Sequence, residues 1–365
     1  MLFFTVCERI MVKNVIILVK QILKSGFTIL VTLFVLHLIW NSTADTEKVN
    51  KRDMRKPISM AVTETVTFES VTTTEDAFTT EKTTEKVTYT KYQTFKYIHL
   101  PLKICELDGG QFDPFLLIVV KSSALQIGNR EAIRSTWAKF NNPNIKLVFL
   151  LGYSPLIKQY INMEYNLYKD IVQQNFIDDY FNNTLKTIMG LDWTVTHCPK
   201  SKFVFFVDDD YFVNLPKVLN YIDYHVRKQT KHLIAGHKYT GAVPKRKMGS
   251  KWYVSWQDYP EKRWPPYLSG GSMIMAMSVA KLLKEQIPYT KPLFIDDVFL
   301  GIVAKSLNIE LWNERKFSVS FVPDRLGSLF SAHRYGSPKN LISEWKRVRC
   351  NHKNLFQKLY GSPDC

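Results

Sequence analysis

Three consecutive carboxylates, Asp208, Asp209 and Asp210, directly follow the apolar run FVFFV. Adjacent like charges raise one another's pKa, and a bound divalent cation reverses that effect. Carboxylate oxygens suit Mg²⁺ or Mn²⁺, which proteins usually share with substrate phosphates. On an extended segment Asp208 and Asp210 point to the same side. The cluster therefore predicts a cation site for a phosphate-bearing ligand, with a solvent-exposed acidic turn as the alternative.

A second acidic pair, Asp296 and Asp297, opens the segment 295–307, whose pattern is typical of an amphipathic helix. A carboxylate at this position accepts backbone N–H bonds and favours the positive end of the helix dipole. One of the two is expected to cap the helix in this way. The other is a candidate general base, because helix-end stabilisation favours its ionised form.

Strands and helices alternate along the part of the chain that carries these carboxylates. Continuous apolar runs predict buried strands at 115–120, 145–151, 203–207 and 233–235. Apolar spacing and capping residues predict helices at 129–137, 182–197, 215–226 and 295–307. This alternation predicts an α/β domain with a mainly parallel sheet. Ligands of such sheets bind at the carboxyl ends of the strands, where the acidic cluster lies.

The segment 25–40 is apolar and uncharged, and Arg9, Lys13, Lys20 and Lys24 precede it. A membrane-spanning helix needs about 20 apolar residues, and snorkelling lysines extend a shorter one. Basic residues before the span predict a cytoplasmic N-terminus and a lumenal C-terminus. A cleaved signal peptide is the alternative, but the run is long for one and no A-x-A site follows it. We therefore expect a cytoplasmic tail at 1–24 and a transmembrane signal-anchor at 25–40.

The segment 41–110 is rich in Thr and poor in large aliphatic residues, which predicts a disordered stem before a lumenal catalytic domain at 111–365. The sequon that begins at Asn182 predicts N-glycosylation there. Four of the five cysteines follow the apolar segment. In a lumenal chain they can form two disulfides, and the sequence leaves three pairings open.

The charge and the cysteine spacing exclude other classes of partner. The net charge is +16, but the basic residues are dispersed along the chain. There is no zinc-finger spacing and no aromatic-basic motif for single strands, so no nucleic acid is expected as a partner. Because no cysteines form a C-x-x-C pair, no structural zinc site is expected either.

Several segments together carry a resemblance to a known family. They are, in order along the chain, Asn129–Trp137, Asp170–Thr187, Phe206–Asn214, Lys251–Ser255, Tyr267–Gly271 and Asp297–Gly301. In these segments the chain resembles the β1,3-galactosyltransferase and β1,3-N-acetylglucosaminyltransferase family. These are inverting enzymes with the GT-A fold. The resemblance spans roughly residues 115–334.

The resemblance implies a single-pass type II protein of the Golgi membrane with a lumenal GT-A domain. It implies a UDP-sugar donor, Mn²⁺ (or Mg²⁺) as the cofactor, and a glycan, glycolipid or glycoprotein as the acceptor. The expected reaction is inverting transfer of galactose or N-acetylglucosamine in β1,3 linkage. The sequence does not separate these two donor sugars.

The resemblance also implies roles for residues around the acidic cluster. Asp210 is the expected main metal ligand, with Asp208 and His333 at the same metal. Asp208 and Asp209 are expected beside the ribose and sugar of the donor. Arg130 and Arg134 are candidates for donor contact. Ordinary packing and salt-bridging on a helix is the alternative for both arginines.

Three further motif positions complete the expected site. Asp297 matches the catalytic base of the family. Gly270 and Gly271 match the donor-binding motif, where glycine permits close backbone approach or simply a tight turn. Tyr267 is expected on the acceptor side. The family usually has Glu before the base, where this chain has Asp296.

Two other functions remain as alternatives at this point. A metal-dependent phosphohydrolase or nuclease also clusters carboxylates, but it normally needs further ligands for a second metal. A non-catalytic lumenal glycan-binding homologue would keep the fold without the chemistry. The presence of both Asp210 and Asp297 favours the transferase.

Overall fold

A computed structural model of the chain describes residues 64–65, 88–89, 95–107, 110–111, 113–362 and 365. Every described residue belongs to one compact unit, which lies within Val62–Cys365. The predicted tail, the predicted anchor at 25–40 and most of the predicted stem lie outside the described residues. Within the described ranges, no helix combines the length and the apolar character that a membrane crossing requires.

The described strands are short at the start of the chain and longer at its centre. They are β1 (Glu64–Thr65), β2 (Thr88–Tyr89), β3 (Tyr97–His99), β4 (Glu106–Leu107), β5 (Gly110–Gln111), β6 (Leu116–Lys121), β7 (Ile145–Tyr153), β8 (Ile171–Ile177), β9 (Phe203–Asp208), β10 (Phe212–Val213), β11 (Ile234–Tyr239), β12 (Tyr267–Ala276), β13 (Trp312–Asn313), β14 (Phe317–Ser318) and β15 (Ser331–Ala332).

The described α-helices follow the longer strands. They are α1 (Ile127–Ser135), α2 (Lys158–Tyr168), α3 (Asn183–His197), α4 (Leu215–Arg227), α5 (Met277–Gln286), α6 (Asp296–Ser306), α7 (Pro338–Asn351) and α8 (Lys353–Tyr360). Short 3-10 helices occur at Pro155–Ile157, Tyr180–Asn182, Ile287–Tyr289 and Pro323–Arg325.

The main sheet has eight strands in the order β13-β11-β12-β9-β6-β7-β8-β3. Strands β9, β6, β7 and β8 run parallel. The buried apolar runs predicted β6, β7 and β9, whereas β8 was not predicted. Strand β12 runs antiparallel to both β9 and β11, and β3 runs antiparallel to β8. Strands β11 and β13 also pair in parallel. The sheet is therefore mixed, and the prediction of a mainly parallel sheet is confirmed only in part.

Both faces of the sheet are covered, which explains the continuous apolar runs of the central strands. Alternate residues of β6 belong to two separate core clusters, with Leu116 and Ile118 in one and Leu117 and Val119 in the other. Helices α1, α4, α7 and α8 supply buried residues to the first cluster, and α3, α5 and α6 supply them to the second. The result is a three-layer α/β/α arrangement.

The folded unit begins earlier than the composition indicates. Strand β3 lies inside the segment assigned to the stem, yet it pairs with β8 at the edge of the main sheet. Cys105, from the same segment, is buried and forms a disulfide with Cys198. A second disulfide joins Cys350 to Cys365. A short edge strand adds few apolar residues, so it leaves the Thr-rich composition of its surroundings almost unchanged.

Candidate active site

The acidic cluster lies at the carboxyl ends of the parallel strands β6 and β9, next to the start of the antiparallel strand β12. Strand β9 ends at Asp208, and Asp208 pairs in register with Lys121 at the end of β6. The backbone N–H of Asp209 donates to the carbonyl of Lys121 at 3.0 Å. Because β12 is antiparallel to β9, the first residues of β12 lie beside the carboxyl end of β9, with Ser272 opposite Val207. Three strands thus deliver side chains to one place.

Lys121 occupies the centre of this place, and the sequence patterns did not identify it. Its side chain is buried, with Nζ 3.1 Å from Oδ1 of Asp208 and 2.7 Å from Oδ2 of Asp296. Burial disfavours the charged ammonium, but the carboxylates of Asp208 and Asp296 raise the pKa of Lys121 above its usual value. The only signal in the sequence was a lysine at the end of a buried strand.

The carboxyl of Asp208 is balanced between opposing effects. Burial raises its pKa to about 7, although Lys121 acts in the opposite direction. The neighbouring carboxylates of Asp210 and Asp296 also raise it. A second cation nearby would stabilise the ionised form of this carboxyl, as expected beside a metal site.

The two carboxyls at the start of α6 are in different electrostatic states. Oδ2 of Asp296 accepts hydrogen bonds from Lys121 at 2.7 Å and from Oγ1 of Thr187 at 3.0 Å. Burial would raise the pKa of Asp296, but Lys121 lowers it below its usual value. Burial and the adjacent Asp296 charge raise the pKa of Asp297 to about 7. Asp297 is therefore the one of the two that can take up a proton near neutral pH.

The helix cap differs in part from the prediction. Ile295 occupies the N-cap of α6 without a side-chain hydrogen bond, and both aspartates lie in the first turn. Oδ1 of Asp297 accepts a hydrogen bond from the backbone N–H of Val298 at 2.8 Å. Asp297 thus accepts a backbone N–H at the helix start, as expected of one of the two aspartates, but neither aspartate occupies the N-cap position, and Asp296 bonds to Lys121.

Gly270 and Gly271 lie within β12, so the tight-turn alternative does not apply. A Cβ on Gly270 would lie 3.2 Å from both Oδ2 of Asp296 and Cβ of Asp297. A Cβ on Gly271 would lie 2.6 Å from Cε2 of Tyr211. The missing side chains therefore let β12 approach the two aspartates and the tyrosine closely. Contact of these glycines with the donor stays a prediction.

His333 and Asp210, which lie far apart in the sequence, are brought together. Nε2 of His333 lies 2.9 Å from Oδ2 of Asp210, and this hydrogen bond raises the pKa of the imidazole. The ring of Tyr211 stacks on the His333 ring with centroids 5.0 Å apart. The backbone N–H of Tyr335 donates to the Asp210 carbonyl at 2.7 Å, which fixes the turn.

The same residues fit a divalent cation that also binds substrate. Oδ1 of Asp210 is buried and has no hydrogen-bond partner among the described residues. The described ranges contain no group of three or more His, Cys, Asp or Glu side chains arranged around a metal position. Mg²⁺ and similar ions commonly bind through one or two carboxylates together with waters and substrate phosphates. Asp210 with His333 meets that requirement.

The two arginines of the first motif are engaged inside the protein. Arg130 has no exposed surface; Nε and Nη2 bind the Glu164 carboxylate at 2.8 and 2.7 Å. Its Nη1 donates to Oγ of Ser122 at 3.0 Å, and that hydroxyl donates to Oδ2 of Asp209. Arg130 thus acts on the acidic cluster through Ser122, and its direct contact with the donor stays a prediction.

Arg134 is paired in a similar way. Its guanidinium lies 2.8 Å from carboxylate oxygens of both Asp170 and Glu164. It also stacks on the Tyr168 ring, 4.0 Å from the centroid. These contacts match the packing alternative, and contact of Arg134 with the donor stays a prediction.

The ion pair of Lys186 and Asp178 holds the loop after β6. Both residues lie in the motif Asp170–Thr187, but the sequence did not show that they pair. Nζ of Lys186 donates to the Ser122 carbonyl at 2.7 Å and to Oδ1 of Asp178 at 2.9 Å. Oδ2 of Asp178 accepts the backbone N–H groups of Ala124 and Gly152 at 2.8 and 2.9 Å. This network fixes the loop beside Asp209.

Tyr267 and Asn182 lie at different elements near the site. Tyr267 begins β12, and its ring centroid is 5.2 Å from that of Tyr239. Burial and the nearby Asp297 raise the pKa of Tyr267 to about 12. Asn182 ends the 3-10 helix before α3, and its amide donates to the Ile177 carbonyl at 2.9 Å. The acceptor role of Tyr267 and the glycosylation of Asn182 stay predictions.

Comparison with known proteins assigns the chain to a family. The model of the galactosyltransferase family matches residues 128–315, which include the acidic cluster and Asp297. The β-1,3-galactosyltransferase brn of Drosophila melanogaster is 35% identical over 264 residues, 70% of this chain and 80% of that protein. Human β-1,3-galactosyltransferase 1 is 32% identical over 251 residues, covering 65% and 76% of the two chains.

Solved structures show a weaker likeness. The apo structure of the bifunctional glycosyltransferase WbbM is 13% identical, with a TM-score of 0.37 over 68% of this chain and 52% of that one. This value is too low to support an argument. The family model and the β-1,3-galactosyltransferase relatives show the family of this chain without the solved structures. The chain belongs to the galactosyltransferase family.

Proposed function

We propose that this chain transfers galactose from UDP-galactose to an acceptor glycan, inverting the anomeric centre and forming a β1,3 linkage. One observation carries the proposal. Lys121 contacts Asp208, which lies beside the candidate cation ligand Asp210, and Asp296, which lies beside the candidate base Asp297, so the two halves of the candidate site adjoin each other. The names of the relatives favour galactose over N-acetylglucosamine as the transferred sugar.

Asp297 is the residue that acts on the nucleophile. It accepts the proton of the acceptor hydroxyl while that oxygen attacks the anomeric carbon and the bond from this carbon to the diphosphate oxygen breaks. A single displacement inverts the configuration, so an α-linked donor yields a β-glycoside. A base with a pKa near the working pH is well matched to this proton transfer, and the pKa of Asp297 is raised to about 7.

Asp210 and His333 act on the side of the leaving group. They would hold Mn²⁺ (or Mg²⁺), with donor oxygens as the remaining ligands. When bound, the ion offsets the negative charge that develops on the departing UDP. Asp209 follows β9 and accepts a hydrogen bond from Ser122, and it is the proposed contact for the donor ribose or sugar.

The protein is further proposed to be a type II protein of the Golgi membrane with a GT-A domain in the lumen. Two disulfides, Cys105–Cys198 and Cys350–Cys365, support an oxidising compartment. The basic residues before the apolar segment 25–40 support the orientation. The acceptor is then a glycan on a glycoprotein or a glycolipid.

A donor screen tests the proposal. The full-length chain is incubated with Mn²⁺ and UDP-galactose, UDP-N-acetylglucosamine, UDP-glucose or UDP-N-acetylgalactosamine. Methyl β-glycosides of galactose, N-acetylglucosamine and N-acetylgalactosamine serve as acceptors. We expect transfer of galactose, with a proton NMR coupling at the new anomeric position that identifies the β linkage and a carbon correlation that identifies O3.

Two results of this screen would contradict the proposal. Release of UDP and free sugar without any transfer product indicates a phosphohydrolase or nucleotide-sugar hydrolase. Binding of the glycosides without consumption of any donor indicates a non-catalytic glycan-binding homologue.

A further inference from the structure

The segment Lys251–Ser255 belongs to the family motifs, but the site described above assigns it no role. It contains Trp252, whose side chain is 48% exposed. Tyr180 and Phe181 are also largely exposed. Large aromatic rings grouped at a protein surface commonly mark a binding surface. These rings therefore need an explanation.

Tyr180 and Trp252 contact each other across a large sequence separation. Nε1 of Trp252 donates a hydrogen bond to the Tyr180 hydroxyl at 2.9 Å. Nζ of Lys251 lies 3.5 Å from the centroid of the Tyr180 ring. Nζ of Lys251 is farther from the Trp252 ring, 5.9 Å from its centroid, and about half of the Trp252 surface is exposed. We call Tyr180, Lys251 and Trp252 the aromatic platform.

The platform lies beside the segment that carries the base. The 3-10 helix Tyr180–Asn182 leads into α3, where Oγ1 of Thr184 donates to the Leu293 carbonyl at 2.7 Å. The ring of Phe181 lies 5.4 Å from that of Phe294, just before Asp296 and Asp297. Burial raises the pKa of Tyr180, and the carboxylates of Asp296 and Asp297 contribute to that rise.

The loop that carries Trp252 is held in a defined shape. Arg246 donates hydrogen bonds to the carbonyls of Val254, Ser255 and Tyr259 at 2.9, 2.7 and 2.7 Å. Its guanidinium also stacks on the ring of Trp256, 4.0 Å from the centroid. A surface fixed in this way loses little entropy when a ligand binds.

The side on which the platform lies follows from the inverting reaction. The nucleophile must approach the anomeric carbon opposite the leaving group, so the base and the leaving group are on opposite sides of that carbon. Asp297 is on the nucleophile side, and the donor phosphates are on the side of Asp210. Phe181 packs against Phe294 just before Asp296 and Asp297. Tyr180, which precedes Phe181, is hydrogen-bonded to Trp252, so the platform is assigned to the acceptor side.

A neutral hexopyranose has the chemistry that this platform recognises. Its ring shows polarised C–H groups on one face and hydroxyls around its edge. Aromatic faces are electron-rich and attract such positive edges, and the Lys251 ammonium is a hydrogen-bond donor for a hydroxyl. We propose that the aromatic platform binds the acceptor sugar, with Trp252 against its apolar face, and so presents the hydroxyl to Asp297. This inference rests on the proposed function, which supplies the transfer reaction.

The test compares two exposed tryptophans. Trp252→Ala removes the platform ring, and Trp312→Ala removes a ring on β13 that is 40% exposed and lies outside the platform and its loop. In the full-length chain, Trp252→Ala is expected to raise KM for the methyl β-glycoside acceptor about 3- to 10-fold. KM for UDP-galactose should stay unchanged, because the platform is proposed to bind the acceptor and not the donor.

Two further measurements keep the outcome unambiguous. Trp252→Phe should recover part of the acceptor affinity, which a folding defect would not allow. Saturation-transfer NMR with the methyl β-glycosides, in the presence of UDP and Mn²⁺, reports acceptor binding without turnover. An acceptor KM unchanged by Trp252→Ala, or raised as much by Trp312→Ala, would overturn the proposal.

Failure of the proposed function gives a different pattern. If the unchanged chain binds the glycosides through Trp252 but transfers no sugar, the result supports the platform as a glycan-binding site and contradicts the proposed transfer reaction. If the chain transfers galactose and Trp252→Ala binds acceptor normally, the reaction stands and the platform does not.

Discussion

Nζ of Lys121 lies 2.7 Å from Oδ2 of Asp296, although the two residues are 175 positions apart in the sequence. Lys121 ends a central strand and Asp296 begins helix α6. The same ammonium is 3.1 Å from Asp208. One buried cation thus joins the carboxylates beside the candidate cation site to those beside the candidate base. Because Lys121 pairs with Asp296, Asp297 is the helix carboxylate without a lysine partner among the described residues.

Replacing Lys121 should destabilise the protein strongly. Lys121→Met leaves Asp208 and Asp296 close together without a counter-charge, and breaking such a buried pair costs about 3–5 kcal/mol. Urea denaturation in EDTA should show this loss in the free energy of unfolding. The exposed Lys281→Met serves as the control. A loss no larger than that of the control would contradict the role of Lys121.

Asp297→Asn should remove transfer while leaving the leaving-group side intact. Loss of a general base lowers kcat by about 10²- to 10⁴-fold, and UDP binding with Mn²⁺ should be unchanged by calorimetry. In the unchanged chain, kcat should fall as the pH drops below about 7, where Asp297 becomes protonated. Normal turnover by Asp297→Asn would refute its assignment as the base.

The same substitution should change how stability depends on pH. The pKa of Asp297 is raised from 3.8 to about 7 in the folded protein. Between these values the folded state binds more protons than the unfolded state, so its stability falls as the pH rises. Asparagine does not ionise. The melting temperature of Asp297→Asn, relative to the unchanged chain in EDTA, should therefore increase from pH 4 to pH 7.

An exposed carboxylate provides the control for this measurement. Asp223 lies on the surface of α4. The melting temperature of Asp223→Asn, relative to the unchanged chain, should not increase with pH in this way. A difference in melting temperature that stays constant with pH for Asp297→Asn would show that the folded protein does not disfavour its charged form.

The parts of the fold predicted from sequence were those with an uninterrupted pattern. Strands β6, β7 and β9 are apolar runs buried on both faces, and the helices predicted at 182–197, 215–226 and 295–307 correspond to α3, α4 and α6. Strand β12 was missed, because its segment YLSGGSMIMA contains glycines that resemble a turn. It is a strand because glycine is needed where the sheet approaches the aspartates. That requirement is visible only in three dimensions.

The candidate site was predicted in the same uneven way. The positions of Asp208, Asp210, Asp297 and His333 followed from motifs, and the structure places Asp210 beside His333. Lys121 was missed, since a lysine at a strand end is usually solvated and nothing local reveals its partners. The internal ion pairs of Arg130 also depend on residues from a separate helix.

Substituting the two glycines should have different consequences. Gly270→Ala places a methyl group 3.2 Å from Oδ2 of Asp296, so it should displace the carboxylates and lower kcat with little change in melting temperature. Gly271→Ala places one 2.6 Å from the buried Tyr211 ring, and such overpacking costs about 1–3 kcal/mol. Thermal unfolding and initial rates on both variants separate the two effects. Full activity of Gly270→Ala would show that the close approach is not required.

Asp210 and His333 should contribute jointly to metal-dependent donor binding. Calorimetry of UDP in Mn²⁺ and in EDTA measures their effect, with the exposed Asp324→Ala as the control. Asp210→Ala and His333→Ala should each weaken UDP binding at least about tenfold in Mn²⁺ and leave it unchanged in EDTA. Because the two side chains are hydrogen-bonded to each other, the double variant should lose less than the sum of the single losses. Strict additivity would indicate separate roles, and equal UDP affinity of the unchanged chain with and without Mn²⁺ would remove the metal from the mechanism.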